Sequence, residues 1–372
     1  MNTIQRVAVG LSGGVDSAVA AAILKDSGYD VFGLTMKIWS GAVKIQEGVK
    51  HACFGPGEKE DIESCERLCA RLGIEYHVVD LCDEYETRVL EYFRAEYLAG
   101  RTPNPCIVCN KELKFGFLST KAKQAGLEFD LFATGHYARI MNRDGVSYLQ
   151  RALNEAKDQS YFLYGLDTRM LSTILFPLGA MTKDEVRGIA RSLDLEVADK
   201  PESQDFIAGG DYSPLFADRE PVPGDIVTRD GKVVGKHRGL PYYTIGQRRG
   251  IGISLGTDAL YVLSLDAKGN RVVVGPGDGL FSDSLPSANF RFQNPATASA
   301  GPFRALARIR QNHTPAACTV RPCEKEISDG GDGEAGVVID FDISQRAVAP
   351  GQSVVVYDCE GVVLGGGVID SA

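Results

Sequence analysis

The sequence predicts an α/β N-terminal domain built on a parallel sheet, followed by two small β domains, the last a β-barrel. Three observations carry this reading. Residues 1–205 alternate strand-length apolar runs with helical stretches, the pattern of a parallel sheet with helices on both faces. From about residue 211 the texture changes to short β-rich pieces between Gly, Pro and Asp turns. The length, 372 residues, suits two or three domains with ample core.

The first strand is the apolar run Val7, Ala8, Val9 and Leu11, which leads directly into SGGVDS and a small-residue helix over residues 18–24. A second strand spans 29–35 and is closed by Met36. Residues 61–72 are helical, with Ile62, Leu68, Cys69 and Leu72 on one stripe. A strand over 75–79 precedes a long amphipathic helix over 85–98, ended by Gly100, Pro103 and Pro105. A fourth strand, 129–134, is followed by Gly135 and His136. Open sheets of this kind bind ligands at the carboxyl ends of their strands, so residues 12–17, Met36 and Gly135 should share one edge, with a nucleotide beside them. Further on, Asp230-Gly231 between strands 224–228 and 233–235 signals a hairpin. Strands 260–265 and 271–274 complete a central domain, and strands near 303–310, 317–321, 337–341 and 353–357 form the barrel. The acidic, glycine-rich residues 328–336 read as an exposed loop. The expected domains are therefore 1–210, 211–289 and 290–372.

The bulk properties narrow the class. A chain 44% hydrophobic and 24% charged is ordinary for a soluble globular protein. No apolar run of about 18 residues offers a membrane span, and the N-terminus lacks a basic-then-apolar signal pattern. Nine cysteines, an odd count, point to a reducing cytoplasm with functional thiols rather than a secreted disulfide framework. A net charge of −9 argues against nonspecific nucleic-acid binding but leaves room for a local basic groove.

Two stretches carry chemistry. A strand, a glycine turn and a helix aim free backbone N–H groups at an anion. Adjacent Gly13 and Gly14 allow close approach, and Ser12 and Ser17 add hydroxyl donors. Neither GxxxxGK[ST] nor GxGxxG is matched. The second stretch is TPNPCIVCNKELKF. Its prolines deny a helix up to Pro105, so Cys106 falls at or just before a helix start, with Cys109 on the same face of the first turn. That helix start, with Lys111 and Lys114, should lower a thiol's pKa and give a reactive thiolate. Cys53 lies in a Gly- and Pro-containing loop. The three thiolates Cys53, Cys106 and Cys109 can supply three ligands to a [4Fe–4S] cluster with one open iron, or hold zinc with a fourth ligand. In the 303–310 strand, alternation puts Arg304, Arg308 and Arg310 on one exposed face suited to phosphates.

SGGVDS resembles the PP-loop of ATP pyrophosphatases, which implies adenylation of a substrate oxygen. Together with TPNPCIVCNKELKF, FATGHYAR, KDQSYFLYGL, FPLGAMTKDEVR, KPESQDF and YYTIGQRRGIGI, all in order, it makes the chain similar over essentially its whole length to tRNA-specific 2-thiouridylases of the MnmA type. The resemblance implies replacement of the C2 oxygen of wobble uridine 34 by sulfur. It implies that Gly10, Leu11, Ser12, Gly13, Gly14, Val15, Asp16 and Ser17 hold ATP, accompanied by Mg²⁺, and that Met36 and Gly135 border the adenine. Asp16 would lie near the metal or order the loop. Cys109 would be the nucleophile. Contacts to tRNA would come from His136, Lys157, Asp158 and Gln159, from Arg308, Ile309, Arg310 and Gln311, and from Gln352. The partners would be tRNAs with wobble uridine, of the Lys, Glu and Gln type, and a sulfur donor protein or sulfide.

Two departures bear on the sulfur step. Many members have a persulfide-carrying cysteine where this chain has Ile207, and many have Asp at the position of Cys106. Related tRNA thiolases with three cysteines are similar in holding a [4Fe–4S] cluster. A cluster on Cys53, Cys106 and Cys109 is therefore the expected sulfur site, with a disulfide or persulfide relay between Cys106 and Cys109 as the alternative. The rival functions are an amidating PP-loop synthetase and a non-catalytic RNA-binding protein.

Overall fold

The computed structural model describes residues 4–45, 52–198, 200, 206–207, 210–253, 259–295, 297, 301–323 and 334–371. They fall into two compact units. The first comprises Met1–Leu90, Pro105–Leu215 and Gly361–Val363, and the second Glu91–Asn104, Phe216–Glu360 and Leu364–Ala372.

In the first unit the strands are β1 (Arg6–Gly10), β2 (Asp30–Lys37), β3 (Glu75–Asp80), β4 (Leu131–Thr134), a hairpin of β5 (Ala138–Arg143) and β6 (Val146–Arg151), and a short β7 (Ile174–Leu175). Five of them form a sheet in the order β3-β2-β1-β4-β7, parallel at every pairing. The apolar run of β1 is central and fully buried. Helices α1 (Val15–Asp26) and α2 (Glu58–Leu72) follow β1 and precede β3. Eight of the twelve residues of α1 are buried, most of them small, because both its sides are covered. Val15, Ala18 and Val19 pack against Val186 and Ala190 of helix Lys183–Ser192, while Ala21 and Leu24 meet Val7, Val9 and Val31. Thr182 and Glu185 start the Lys183–Ser192 helix with a capping box.

Two helical expectations are corrected. The helix expected over 85–98 is α-helical at Cys82–Tyr85, π-helical at Glu86–Leu90 and α-helical again at Glu91–Leu98. The CxxC helix begins at Pro105 itself, since proline lacks only an N–H that the first turn leaves unused. Cys106 is thus inside the first turn, and Cys109 opens a π-helix over Cys109–Phe117. Such widened turns recur at functional sites.

The second unit holds β8 (Gly224–Thr228), β9 (Val233–His237), β10 (Tyr261–Asp266) and β11 (Arg271–Gly275) in the order β10-β11-β8-β9. β8 and β9 are antiparallel across the expected Asp230-Gly231 turn. A closed barrel follows, made of β12 (Phe281–Phe292), β13 (Phe303–Arg308), β14 (Ala316–Pro322), β15 (Glu334–Arg346), β16 (Ser353–Tyr357) and β17 (Val363–Val368). Leu285, Phe290, Ile309, Val320, Ile339 and Val356 fill it. β12 runs across residues 289 and 290, where a boundary was expected. Residues 334–336 of the expected loop are strand, and 328–333 lie outside the described residues. Among the described residues no helix is long and apolar enough to cross a membrane.

Candidate active site

A cavity of about 290 Å³ opens at the carboxyl ends of β1, β2 and β4. This is the point where the strand order reverses direction around β1, the usual ligand position in such sheets. The whole stretch 10–17 lines it, with Met36, Gly135, His136 and Gln159. Gly14 is the N-cap of α1, and no side chain caps the first turn, so its amides remain directed at the space. Ser17 Oγ accepts from Ser12 N (3.2 Å) and donates to Gly14 O (3.1 Å), which folds the loop onto the helix. Gly13 has φ +69°, and a Cβ there would come within 2.8 Å of Asp61 Oδ1. At Gly135 a Cβ would lie 2.6 Å from the Asp16 carbonyl carbon and the Ser17 nitrogen, so only glycine lets the chain leaving β4 press on the loop.

Ion pairs from far along the chain fix this loop. Lys183 Nζ donates to both Asp16 carboxylate oxygens at 2.8 Å, and Tyr137 OH donates to Asp16 Oδ1 at 2.9 Å. Lys200 Nζ donates to Gly13 O (2.9 Å) and to Asp61 Oδ1 (2.5 Å). Across the cavity Glu58 accepts from the amides of Ile38 (2.7 Å) and Trp39 (3.1 Å), and burial pushes its carboxyl up. Lys183 and Lys200 stand inside motifs quoted above, yet sequence reasoning gave them no role. A lysine reads as solvated until its partner is known.

The thiols are not arranged as expected. Cys53 is exposed and lines the cavity, while Cys106 and Cys109 are half-buried. Burial holds the Tyr85 phenol well above its ordinary value, and the charges of Cys109, Cys53 and Cys106 add to the effect. Burial also pushes the Cys109 thiol up to about 11, against the pull of Lys114. The lowered pKa expected at this helix start is therefore reversed, because desolvation outweighs the nearby lysine. Among the described residues no group of three or more His, Cys, Asp or Glu is arranged to hold a metal ion. The [4Fe–4S] cluster expected on Cys53, Cys106 and Cys109, and the zinc alternative, thus find no matching ligand geometry. Ile207 is buried and its neighbour Phe206 accepts, through its carbonyl, from Phe54 N (2.8 Å). Ser203, Gln204 and Asp205 lie outside the described residues.

The residues expected to meet tRNA divide sharply. His136 lines the cavity, bonded through Nδ1 to Thr134 Oγ1 (2.7 Å), and burial pushes its pKa well below the usual range, leaving the ring neutral. Gln159 Oε1 accepts from Tyr137 N (2.8 Å), and Lys157 is half-buried beside it. Asp158 is turned inward, 1% exposed, accepting from Ala152 N, Ser160 N and Ser160 Oγ. Gln352 Nε2 donates to Thr102 O (3.0 Å). On the barrel the strand ends at Arg308, so the expected alternation stops there. Arg308 is 6% exposed and donates to the carbonyls of His313 and Gln311. Ile309 is core, Arg310 donates to Arg346 O (3.1 Å), and Gln311 is half-buried. The exposed row of three arginines is corrected: Arg304 alone of them is exposed, and Asp342 holds it at 2.7 Å.

Comparison with known proteins agrees with this geometry along the whole chain. Residues 5–208 match the family model described as tRNA methyl transferase HUP domain, 216–276 its PRC-barrel domain, and 282–369 an aminomethyltransferase beta-barrel domain. A tRNA-specific 2-thiouridylase MnmA from Endomicrobium trichonymphae is 43% identical over 99% of this chain and 100% of its own length. Those named from Acetivibrio thermocellus and Roseiflexus castenholzii are 41% and 42% identical, covering 98% and 97% of this chain and 99% and 98% of their own. A glycine loop at the sheet's switch point, the cysteines beside it and full-length identity of this order lead to one assignment: the chain belongs to the tRNA-specific 2-thiouridylase (MnmA) family.

Proposed function

We propose that this chain is an ATP-dependent tRNA 2-thiouridylase that adenylates the C2 oxygen of wobble uridine 34 and replaces it with sulfur. The observation that carries the reading is a phosphate-binding loop and a thiol, Cys53, on the walls of one cavity. ATP phosphates rest on residues 10–17 and the first-turn amides of α1, with the adenine beside Met36 and Gly135. Mg²⁺, when bound, neutralises phosphate charge. A stacked base hides its O2, so the uridine enters flipped out. The C2 oxygen attacks the α-phosphate, the amides stabilise the developing charge, and pyrophosphate leaves. Sulfur then displaces AMP, a far better leaving group than oxide.

For the sulfur step we take a thiol route over the [4Fe–4S] cluster, because the thiols are not grouped as metal ligands. Residues 1–210 would perform the activation and bring Lys157 and Gln159 to the tRNA, 211–289 would form the small central domain, and 290–372 would meet the tRNA through Arg310, Gln311 and Gln352. The substrates are wobble-uridine tRNAs of the Lys, Glu and Gln type, and on the thiol route the sulfur comes, already at the persulfide level, from a donor protein in the cytoplasm.

The test gives the full-length protein ATP, such a tRNA and a persulfide donor, and measures pyrophosphate and 2-thiouridine. Both should form, and Cys109→Ser should stop the thiouridine. An amidating synthetase would form no thiouridine and would ignore Cys109→Ser. Anaerobically purified protein that thiolates without iron supports the thiol route; about four irons, lost in Cys53→Ala, would restore the cluster.

A further inference from the structure

We infer that Cys53 is the thiol that carries sulfur to the activated base, with Cys109 as the thiol that releases the product. The inference rests on the thiouridylase reading and deepens it. Of the described cysteines, Cys53 lines the cavity that the phosphate loop also lines, and it is exposed there. Its position is rigidly held. Phe54, the next residue, stacks on Tyr85 (5.1 Å between centroids, 17° between planes) and meets Trp39 edge-on at 4.8 Å. Trp39 is fixed in turn by Glu58. Phe54 also pairs with Ile207 in a parallel bridge, so a buried hydrocarbon closes the wall beside Cys53 and that segment offers no thiol.

Cys109 is placed for the second step. It heads the π-helix whose Lys114 reaches the cavity, and the charges that act on it include those of Lys114 and Cys53.

The chemistry balances as follows. A persulfide donor R–S–SH transfers its outer sulfur to the Cys53 thiol and leaves as R–SH. The Cys53 persulfide attacks C2 of the adenylated uridine; a C–S bond forms, the C–O bond breaks, and AMP departs with its electron pair. Cys109 attacks Cys53 Sγ and gives up its thiol proton, which balances the one taken up at N3 of the base. The S–S bond to the base breaks with its electron pair on the base sulfur, and N3 takes up a proton to give 2-thiouridine. A Cys53–Cys109 disulfide remains, and a dithiol reductant supplies two electrons and two protons to reset it.

The experiment loads the full-length protein with glutathione persulfide, adds ATP and tRNA, and withholds reductant for one turnover. Peptide mapping without reduction should show Cys53 linked to Cys109 in proportion to the 2-thiouridine formed. In Cys53→Ser, thiouridine formed per pyrophosphate released should fall about 100-fold. A Cys106–Cys109 link instead, or an unchanged ratio in Cys53→Ser, would overturn the assignment. Absence of pyrophosphate release by the unaltered protein would overturn the thiouridylase reading itself, so the two failures are told apart. The mapping needs no variant and stands even if Cys53→Ser does not fold.

Discussion

The nucleotide cavity of the α/β unit and the arginine strand of the barrel both carry the residues of a binding surface, and they use them in opposite ways. At the cavity the charged groups pair with each other: Asp16 with Lys183, Asp61 with Lys200. The loop they hold presents neutral backbone amides with no side-chain cap, while Glu58 and Lys114 also line the cavity. On the barrel the arginines are consumed by the fold. Arg308 closes its own turn, Arg304 holds Asp342, and Arg321 holds Asp340. Charge in a sequence therefore says little about the field at a surface until each partner is known. The glycine loop here offers an anion its uncharged backbone groups, with its nearest charges already paired.

The largest effect should come from removing a pair that serves the loop. Lys183→Ala strands a partly shielded Asp16 with Tyr137 alone, and kcat/KM for ATP should fall about 100-fold, close to 3 kcal/mol. Pyrophosphate release measures it; an unchanged rate would mean that the loop orders itself and that the contrast is false. Next, Arg308→Ala should cost about 2 kcal/mol of folding stability by orphaning two carbonyls, seen as a lowered Tm. If instead the salt slope of tRNA binding dropped by about one while Tm held, Arg308 would be a phosphate contact after all.

Each region also holds a histidine whose pKa burial lowers, His136 at the cavity and His313 on the barrel. Below pH about 6.5 the unfolded chain takes up a proton at each more readily than the folded one, so stability is full above that pH and is lost as pH falls. The slope is at most about 1.4 kcal/mol per pH unit for each. Chemical denaturation between pH 7 and 5 should show it, and His136→Gln should flatten it for the first unit. The smallest effect is expected at the exposed Arg304–Asp342 pair, where Arg304→Ala should change stability by less than about 1 kcal/mol. A larger loss in a melting curve would make the barrel surface a cooperative network.

What was legible in the sequence was local. The apolar run of β1, the two glycines and the small-residue helix specify strand, loop and helix within twenty positions, and the sheet's topology then brought Met36 and Gly135 to the same cavity. What was not legible depends on distant neighbours. Lys183 and Lys200 meet partners 167 and 139 residues away. The elevated Cys109 thiol reflects burial, which no spacing reveals. Arg308 turned inward because β13 stops there without a Gly or Pro to mark the end. β17, with three successive glycines, lacks the branched side chains by which a strand is read.

The clasp of Lys200 on Gly13 spans 187 residues of chain. On a ribosome adding about 5–20 residues per second, the glycine loop is made on the order of ten seconds before the lysine that fixes it. Through that interval the nascent chain bears the complete SGGVDS motif without either lysine clamp. Nucleotide capture thereby becomes a late event in biogenesis, and a fragment ending before Lys183 would carry the motif without the grip.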